Sequence, residues 1–421
     1  MSDHRIVVVG AGFAGLQLAK SLRAPATQIT IIDRRNHHLF QPLLYQVATT
    51  VLATSEIAWP IRSLFRDRPD VSTILGEVVG VDVHERCVRL QDGKSISYDT
   101  LVLATGARHA YFGRDEWEPF APGLKTLEDA TTIRRRVLIA FERAELETDP
   151  DLRKAYLTFS IIGAGPTGVE LAGIIAQLSH HTLFKEFRSI DTREARILLI
   201  EAGPRILPVF PPELSEYATR TLTKMGVTVL TGNPVTSITD ADVTVGQTRI
   251  PSKTAIWAAG VQASKVAEWI GTLADRAGRA IVEPDLSVPG HPEIFVVGDT
   301  ASVKAKNGSM VPGIAPAAKQ QGQYVASVIR ARLTGKRAPG PFNYRHLGNL
   351  ATIGPSAAVI DFGRIRLTGW IAWWIWGLAH VYFLIGSRSR FAVALSWLYV
   401  FLTGHHSARL ITQKETLKDE T

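Results

Sequence analysis

A glycine-rich turn behind a short β-branched run occurs twice in this chain, and that repetition limits the possible folds more than any other feature. Residues 6–15 read IVVVGAGFAG, placing Gly10, Gly12 and Gly15 between an apolar run and the helix-forming LQLAKSL, while the next apolar run, ITIID, ends at Asp33. The spacing predicts strand, tight turn and helix. The glycines let the backbone approach a pyrophosphate, the helix N-terminus faces the phosphates, and Asp33 can accept from ribose hydroxyls. The pattern returns in FSIIGAGPTGVELAGIIAQL, with Gly163, Gly165 and Gly168, and Glu201 closes the following run RILLIE. A ligand-free turn would explain one copy. Two copies with correctly placed acids predict an α/β chain with two Rossmann-like dinucleotide-binding domains.

Two dinucleotide sites in one chain suggest electron transfer from one dinucleotide to the other, as in nicotinamide-to-flavin hydride transfer. LVLATGA (101–107) and AIWAAGV (255–261) are apolar runs ending at small-residue turns around Gly106 and Gly260, and EIFVVGDTA ends at Gly298 and Asp299, where a carboxylate suits ribityl hydroxyls. Individually, each also reads as a plain strand-to-loop turn. A single cysteine, Cys87, excludes an intrachain disulfide, a redox Cys pair, a four-cysteine zinc site and an iron–sulfur cluster, so redox chemistry must belong to an organic cofactor. Adjacent pairs such as His37-His38, His180-His181 and His405-His406 lack metal-ligand spacing, and no metal is expected. MSDHR leads straight into IVVV with no apolar signal segment, which predicts a cytoplasmic body, and QKETLKDET at the end reads as disordered.

At this point the order of motifs resembles the two-dinucleotide-binding-domain flavoproteins and, within them, the type II NADH:quinone oxidoreductases. NHHLFQPLLYQVAT (36–49) carries the resemblance most specifically, and IWAAGV, PGIAPAAKQQGQYVA (312–326) and LATIG (350–354) agree with it across essentially the whole chain. It implies non-covalent FAD at the first fingerprint and NADH at the second, with the nicotinamide domain inserted in the flavin domain. The flavin domain would cover 1–120 and 278–350, the nicotinamide domain 121–277, and a C-terminal membrane-association or dimerisation segment 351–421. The FAD set it implies is Gly10, Gly12, Phe13, Ala14, Gly15, Asp33, Arg34, Gln41, Val78, Ala104, Thr105, Gly106, Gly298, Asp299 and Ala315. For NADH it is Gly163, Gly165, Pro166, Thr167, Gly168, Glu201, Ala259 and Gly260. Glu201 favours NADH because a carboxylate repels a 2′-phosphate, although Arg205 lies close by. The resemblance further implies hydride transfer to flavin and two electrons onward to a membrane quinone, without proton pumping.

The family pattern Ala-Gln-x-Ala-x-Gln, where the quinone meets the flavin, reads here Ala315-Pro316-Ala317-Ala318-Lys319-Gln320. Pro316 suits a first helical turn but donates nothing, leaving Gln320 as the candidate quinone contact. Glu170, just after the second fingerprint, reads equally as a catalytic carboxylate near the nicotinamide and as a helix-start acid favoured by the dipole. His380 reads as packed or interfacial rather than as a proton relay. Sulfide:quinone and disulfide reductases share the scaffold but need cysteines this chain lacks. The open alternative is a soluble NAD(P)H flavin reductase serving a protein acceptor such as ferredoxin or rubredoxin.

RLTGWIAWWIWGLAHVYFLIGSR (366–388) places 21 uncharged residues, four of them tryptophan, between two arginines. At 1.5 Å per residue that length reaches roughly 30 Å, enough to cross a bilayer. The following FAVALSWLYVFLTG, 14 residues long, does not reach, and basic clusters flank the first segment at both ends. Two apolar helices lying against the membrane, with arginines among anionic headgroups, fit better than a span and a half. A homodimer interface or buried core is the alternative, and a tail can serve both. Lysine and arginine exceed aspartate and glutamate by eight, in keeping with an anionic membrane surface, and no nucleic-acid-binding motif is present. The expected place is the cytoplasmic face of the cell membrane, as a peripheral, monotopic protein.

Overall fold

The structure, a computed structural model, describes residues 3–306, 308–406 and 408–412. The segment 413–421, for which the sequence suggests disorder, lies outside them. The chain divides into two compact units. One comprises the chain up to Leu39, Ala58–Arg108 and Val261–Leu347, and the other Phe40–Ile57, His109–Gly260 and the chain from Gly348 onward.

The first unit is built on a six-stranded sheet ordered Ser287–Val288, His291–Val296, Thr100–Leu103, His4–Val9, Thr27–Asp33, Val71–Leu75. All neighbours run parallel except the outermost pair. Thr100–Leu103 is buried at every position, as a central parallel strand covered on both faces requires. Helix Ala315–Leu333 crosses helix Phe13–Ser21 so closely that a Cβ on Gly322 would sit 2.1 Å from the carbonyl oxygen of Ala14.

The second unit repeats the plan with four parallel strands ordered Val227–Thr231, Arg196–Glu201, Thr158–Ile162, Thr254–Trp257. An antiparallel three-stranded sheet, Asn349–Gly354, Ala357–Asp361 and Arg366–Thr368, follows later in the chain. Its first strand meets helix Pro166–Gln177 at Gly173, where an added Cβ would lie 1.8 Å from the carbonyl oxygen of Ile353. Only glycine allows that approach.

The boundaries fall differently from 121–277 and 351–421. Residues 261–277 belong with the first unit because Ser264 donates its backbone N–H to Gly106 and its hydroxyl lies 2.5 Å from that of Thr105. Phe40–Ile57 belongs with the second, closed at its neck by a Phe40 N–H to Ile57 C=O bond of 2.8 Å. The Thr105–Ser264 contact joins residues 159 apart, and a linear reading of composition has no access to it.

Both apolar tail segments are helices, Gly369–Phe383 and Ser387–Thr403. The SRSR run forms the first turn of the second helix, and the chain turns just before it at Leu384–Gly386, with Gly386 at φ +79°. In the first tail helix Ala372 and Trp376 turn inward, while Trp370, Trp374, Leu378 and Tyr382, spaced four apart, are exposed. Among the described residues no helix is long and apolar enough to cross a membrane.

Candidate functional site: two dinucleotide cradles and an aromatic cavity

The two fingerprints build the same device. In the first unit a Cβ on Gly10 would sit 2.4 Å from the Ala104 carbonyl oxygen, and one on Gly15 would sit 1.9 Å from that of Gly10. A Cβ on Gly12 would meet nothing within 4 Å, so the turn faces open space there. Asp33 anchors the turn, accepting from Ala11 N at 2.6 Å and Arg35 N at 2.8 Å. In the second unit a Cβ on Gly163 would sit 2.4 Å from the Ala259 Cα, one on Gly168 would sit 1.9 Å from the Gly163 carbonyl oxygen, and one on Gly165 would again meet nothing within 4 Å. Glu201 accepts from Ala164 N at 2.8 Å and Gly203 N at 2.9 Å. Neither fingerprint helix has a side-chain hydrogen bond at its N-cap, which is Gly12 in the first and Gly165 in the second.

Around the first cradle, Ala104, Thr105 and Gly106 close strand Thr100–Leu103, and Gly106 takes φ +73°. Phe13 meets the buried His38 ring edge-on at 5.2 Å, and Ala14 is buried behind it. Gly298 and Asp299 form a turn held by Gln321, whose Oε1 accepts from Gly298 N at 2.6 Å. Gln321 is a support that motif reading missed, and its only sequence signal is its place one turn into the helix that follows Pro316. Ala315 opens that helix, with Pro316 in its first turn as expected. Gln320 spends both amide ends on Arg345, donating to its C=O and accepting from its N–H at 2.9 Å each. Arg34 is exposed, Val78 is buried in strand Val78–Asp82, and Gln41, in the second unit, donates to Lys125 C=O at 3.1 Å. In the second cradle Pro166 and Thr167 start the helix, and Ala259 and Gly260 follow strand Thr254–Trp257.

The second unit also encloses a cavity of about 310 Å³. Glu170, Ile174 and Gln177 reach it from one face of helix Pro166–Gln177, at spacings of four and three residues. Tyr45 and Gln46 line it from helix Leu44–Ala48, Trp373 and Trp376 from the first tail helix, and Trp397 and Phe401 from the second. Glu170 lies within the helix rather than in the turn before it, and burial pushes its carboxyl well above the usual range despite a bond from the Thr352 backbone. Burial, and then the Glu170 charge, also pushes the Tyr45 hydroxyl up. His380, whose Nδ1 donates to Trp376 C=O at 2.7 Å, is held down to about 4 by burial beside the Trp376 ring 4.2 Å away.

Two buried histidines predict an acid-sensitive fold. His38 donates Nδ1–H to Ala11 C=O at 2.8 Å, His406 lies 3.0 Å from the Thr50 hydroxyl, and burial lowers each to about 4. A lowered histidine pKa means the unfolded chain binds the proton first, so stability is full above pH 6.5 and declines as pH falls toward 4. Each site contributes on the order of 3 kcal/mol at the acid end. His406→Gln is expected to flatten part of the decline in thermal midpoint between pH 7 and pH 5, and an unchanged slope would count against that assignment.

Two sheets with parallel cores, each carrying a glycine-rich turn and a carboxylate at the end of the next strand, define an oxidoreductase with two dinucleotide domains. The sequence profile of the family described as pyridine nucleotide-disulphide oxidoreductase matches residues 4–322, and that of the NDH2 C-terminal domain matches 346–406. The type II NADH:quinone oxidoreductases Ndh and NdhA of Mycobacterium tuberculosis are each 42% identical to this chain over 98% of its length, covering 91% and 90% of their own. The fold matches NDH2 of Plasmodium falciparum, solved in complex with NADH, with a TM-score of 0.89 at 19% identity over 98% of this chain and 100% of that one. The chain belongs to the type II NADH:quinone oxidoreductase family.

Proposed function

We propose that FAD occupies the cradle of Gly10, Gly12 and Asp33, that NADH occupies that of Gly163, Gly165 and Glu201, and that the aromatic cavity receives the quinone head. The observation that carries the nucleotide assignment is the matched pair of cradles, each with a glycine facing open space and an acid anchored on the turn. The first cradle fits FAD, since Asp33 retains lone pairs for ribose and the Gly298-Asp299 turn supplies a second carboxylate. FAD, when bound, supplies the two-electron relay between donor and acceptor.

The reaction carries electrons from NADH to quinone through a flavin, without proton pumping. The overall balance takes NADH, quinone and one further proton to NAD⁺ and quinol. We assign the holding of that proton to Glu170, which burial keeps neutral where a surface carboxyl would be ionised. Glu201 sits where a 2′-phosphate would approach, so it disfavours NADPH, while Arg205 is occupied by the carbonyls of Phe210 and Pro208. Steady-state turnover of FAD-loaded protein with a short-chain quinone tests the reading. Rapid NADH oxidation yielding quinol, with weak NADPH turnover, supports it, and flavin reduction that never reaches quinone overturns it.

The exposed rows Trp370, Trp374, Leu378, Tyr382 and Phe391, Leu395, Leu398, Leu402 are assigned to a bilayer on the cytoplasmic face, where NADH is made. Arg388 and Arg390 begin the second row, and Arg390 lies over the Tyr382 ring. Trp374→Asp with Leu378→Asp is expected to weaken binding to anionic vesicles in a sedimentation assay by about 30-fold or more, in keeping with roughly 1 kcal/mol or more lost for each of the two inserted charges. Retained sedimentation with a halved molecular mass would instead identify the rows as a self-association surface.

A further inference from the structure

Gln46 sits in a five-residue helix, Leu44–Ala48, whose members are all buried. Its side-chain Oε1 accepts from Trp397 Nε1 at 2.7 Å, and its Nε2 donates to Tyr45 Oη at 3.1 Å. An indole N–H can only donate, so the amide orientation is forced: oxygen toward Trp397, NH₂ toward Tyr45. Tyr45 is thereby made an acceptor from Gln46, and its own hydroxyl proton is directed elsewhere. Both partners of Gln46 line the cavity, as does Gln46 itself.

The second tail helix depends on this contact. Of its 17 residues only Ser389 and Val393 are buried, while Phe391, Leu395, Leu398 and Leu402 are exposed. Two adjacent side chains tie it by polar contacts to the segment Phe40–Ile57. Ser396 Oγ donates to Glu56 Oε1 at 2.5 Å, with the other Glu56 oxygen held by Ala53 N at 2.5 Å, and Trp397 donates to Gln46. Trp397 also lies against Trp376, ring centroids 5.3 Å apart and 32° from parallel. Release of the indole N–H would free Trp397 to rotate about its side-chain torsions and open this aromatic wall.

We infer that Gln46 is a positioning residue for the quinone: it fixes Trp397 of the second tail helix and Tyr45 of the Phe40–Ile57 segment as one wall of the cavity. The inference rests on the reading of that cavity as the quinone site. The side-chain partners of Gln46 are Tyr45 and Trp397, both in the cavity lining, so its effect is assigned to the acceptor half of the reaction. Holding a planar ring between fixed faces is what converts loose apolar contact into a defined reacting geometry.

The experiment uses full-length, FAD-loaded protein with NADH and a short-chain quinone. Gln46→Leu is expected to raise the quinone KM about tenfold, leaving the NADH KM, the rate with a water-soluble dye, flavin content and vesicle binding as in the parent. Trp397→Phe, which keeps the ring and removes only the N–H donor, is expected to reproduce most of that rise. The double variant should then add less than twofold to either single change, because both remove the same contact. Equal losses with dye and quinone, or full additivity in the double variant, would mean that Gln46 serves only the fold and would overturn the inference. Trp373→Ala separates the two readings. If it raises the quinone KM while Gln46→Leu and Trp397→Phe do not, the cavity reading stands and the positioning role fails. If none of the three moves that KM, the cavity itself is not the quinone site.

Discussion

Gly165→Val is expected to lower kcat/KM for NADH by about 100-fold or more, equivalent to roughly 2.7 kcal/mol of lost transition-state binding, while bound flavin and thermal stability stay close to the parent. A Cβ at Gly165 meets no protein atom within 4 Å, so the added side chain enters open space and not a packed core. That space lies in front of the uncapped start of helix Pro166–Gln177, where the pyrophosphate of NADH is proposed to sit. The same change at Gly163 would be uninformative, because φ there is +99° and the new Cβ would lie 2.4 Å from Ala259 backbone. Steady-state titration with NADH, alongside the flavin absorbance of the purified protein, gives the answer. Unaltered NADH kinetics would remove the second fingerprint from the donor site.

Glu170→Gln is expected to lower quinone turnover by about 100-fold, within the usual range for loss of a positioned proton donor, with little change in dye-linked NADH oxidation. The pH dependence gives the sharper test. Burial raises the Glu170 pKa, so the neutral acid persists to higher pH than an exposed carboxyl would allow and is lost as pH rises further. Parent quinone activity should therefore fall on the alkaline side, and the glutamine variant should lack that fall. Stability follows the same sign: a raised folded pKa favours the native state at low pH, and that advantage disappears as pH rises through it. At alkaline pH the glutamine variant should then be at least as stable as the parent. A variant that loses dye and quinone activity alike would assign Glu170 to the donor side or to the fold.

Much of the nucleotide-binding architecture was legible because its signals are local. Gly10-x-Gly12-x-x-Gly15 and Gly163-x-Gly165-x-x-Gly168 sit within one strand, one turn and one helix, and each acid lies at the end of the next strand. The helical wheel of the first tail segment likewise separates Trp374 from Trp376, and the structure buries the second to 2% and leaves the first 53% exposed. Gln320 has partners that no local pattern announces. Its position in a motif pointed to quinone, and the fold gives both its amide ends to Arg345, 25 residues later. Gln321, beside it, holds the Gly298-Asp299 turn, and no spacing rule distinguishes the two neighbours.

Two α/β dinucleotide domains, the likeness to the NADH:quinone oxidoreductases and the apolar character of the tail were all readable from local patterns of residues. Each follows from glycine steric freedom, from strand and helix periodicity, or from composition within a window of about 20 residues. Only the tertiary structure decided that Phe40–Ile57 joins the second unit and that Tyr45, Glu170, Thr352, Trp376 and Trp397 line one cavity. The Gln46–Trp397 bond spans 351 residues of sequence, and the close approach at Gly173 depends on a strand beginning at Asn349. Such contacts depend on which faces of distant elements meet, and that is set by the packing of the whole unit rather than by any local run of residues.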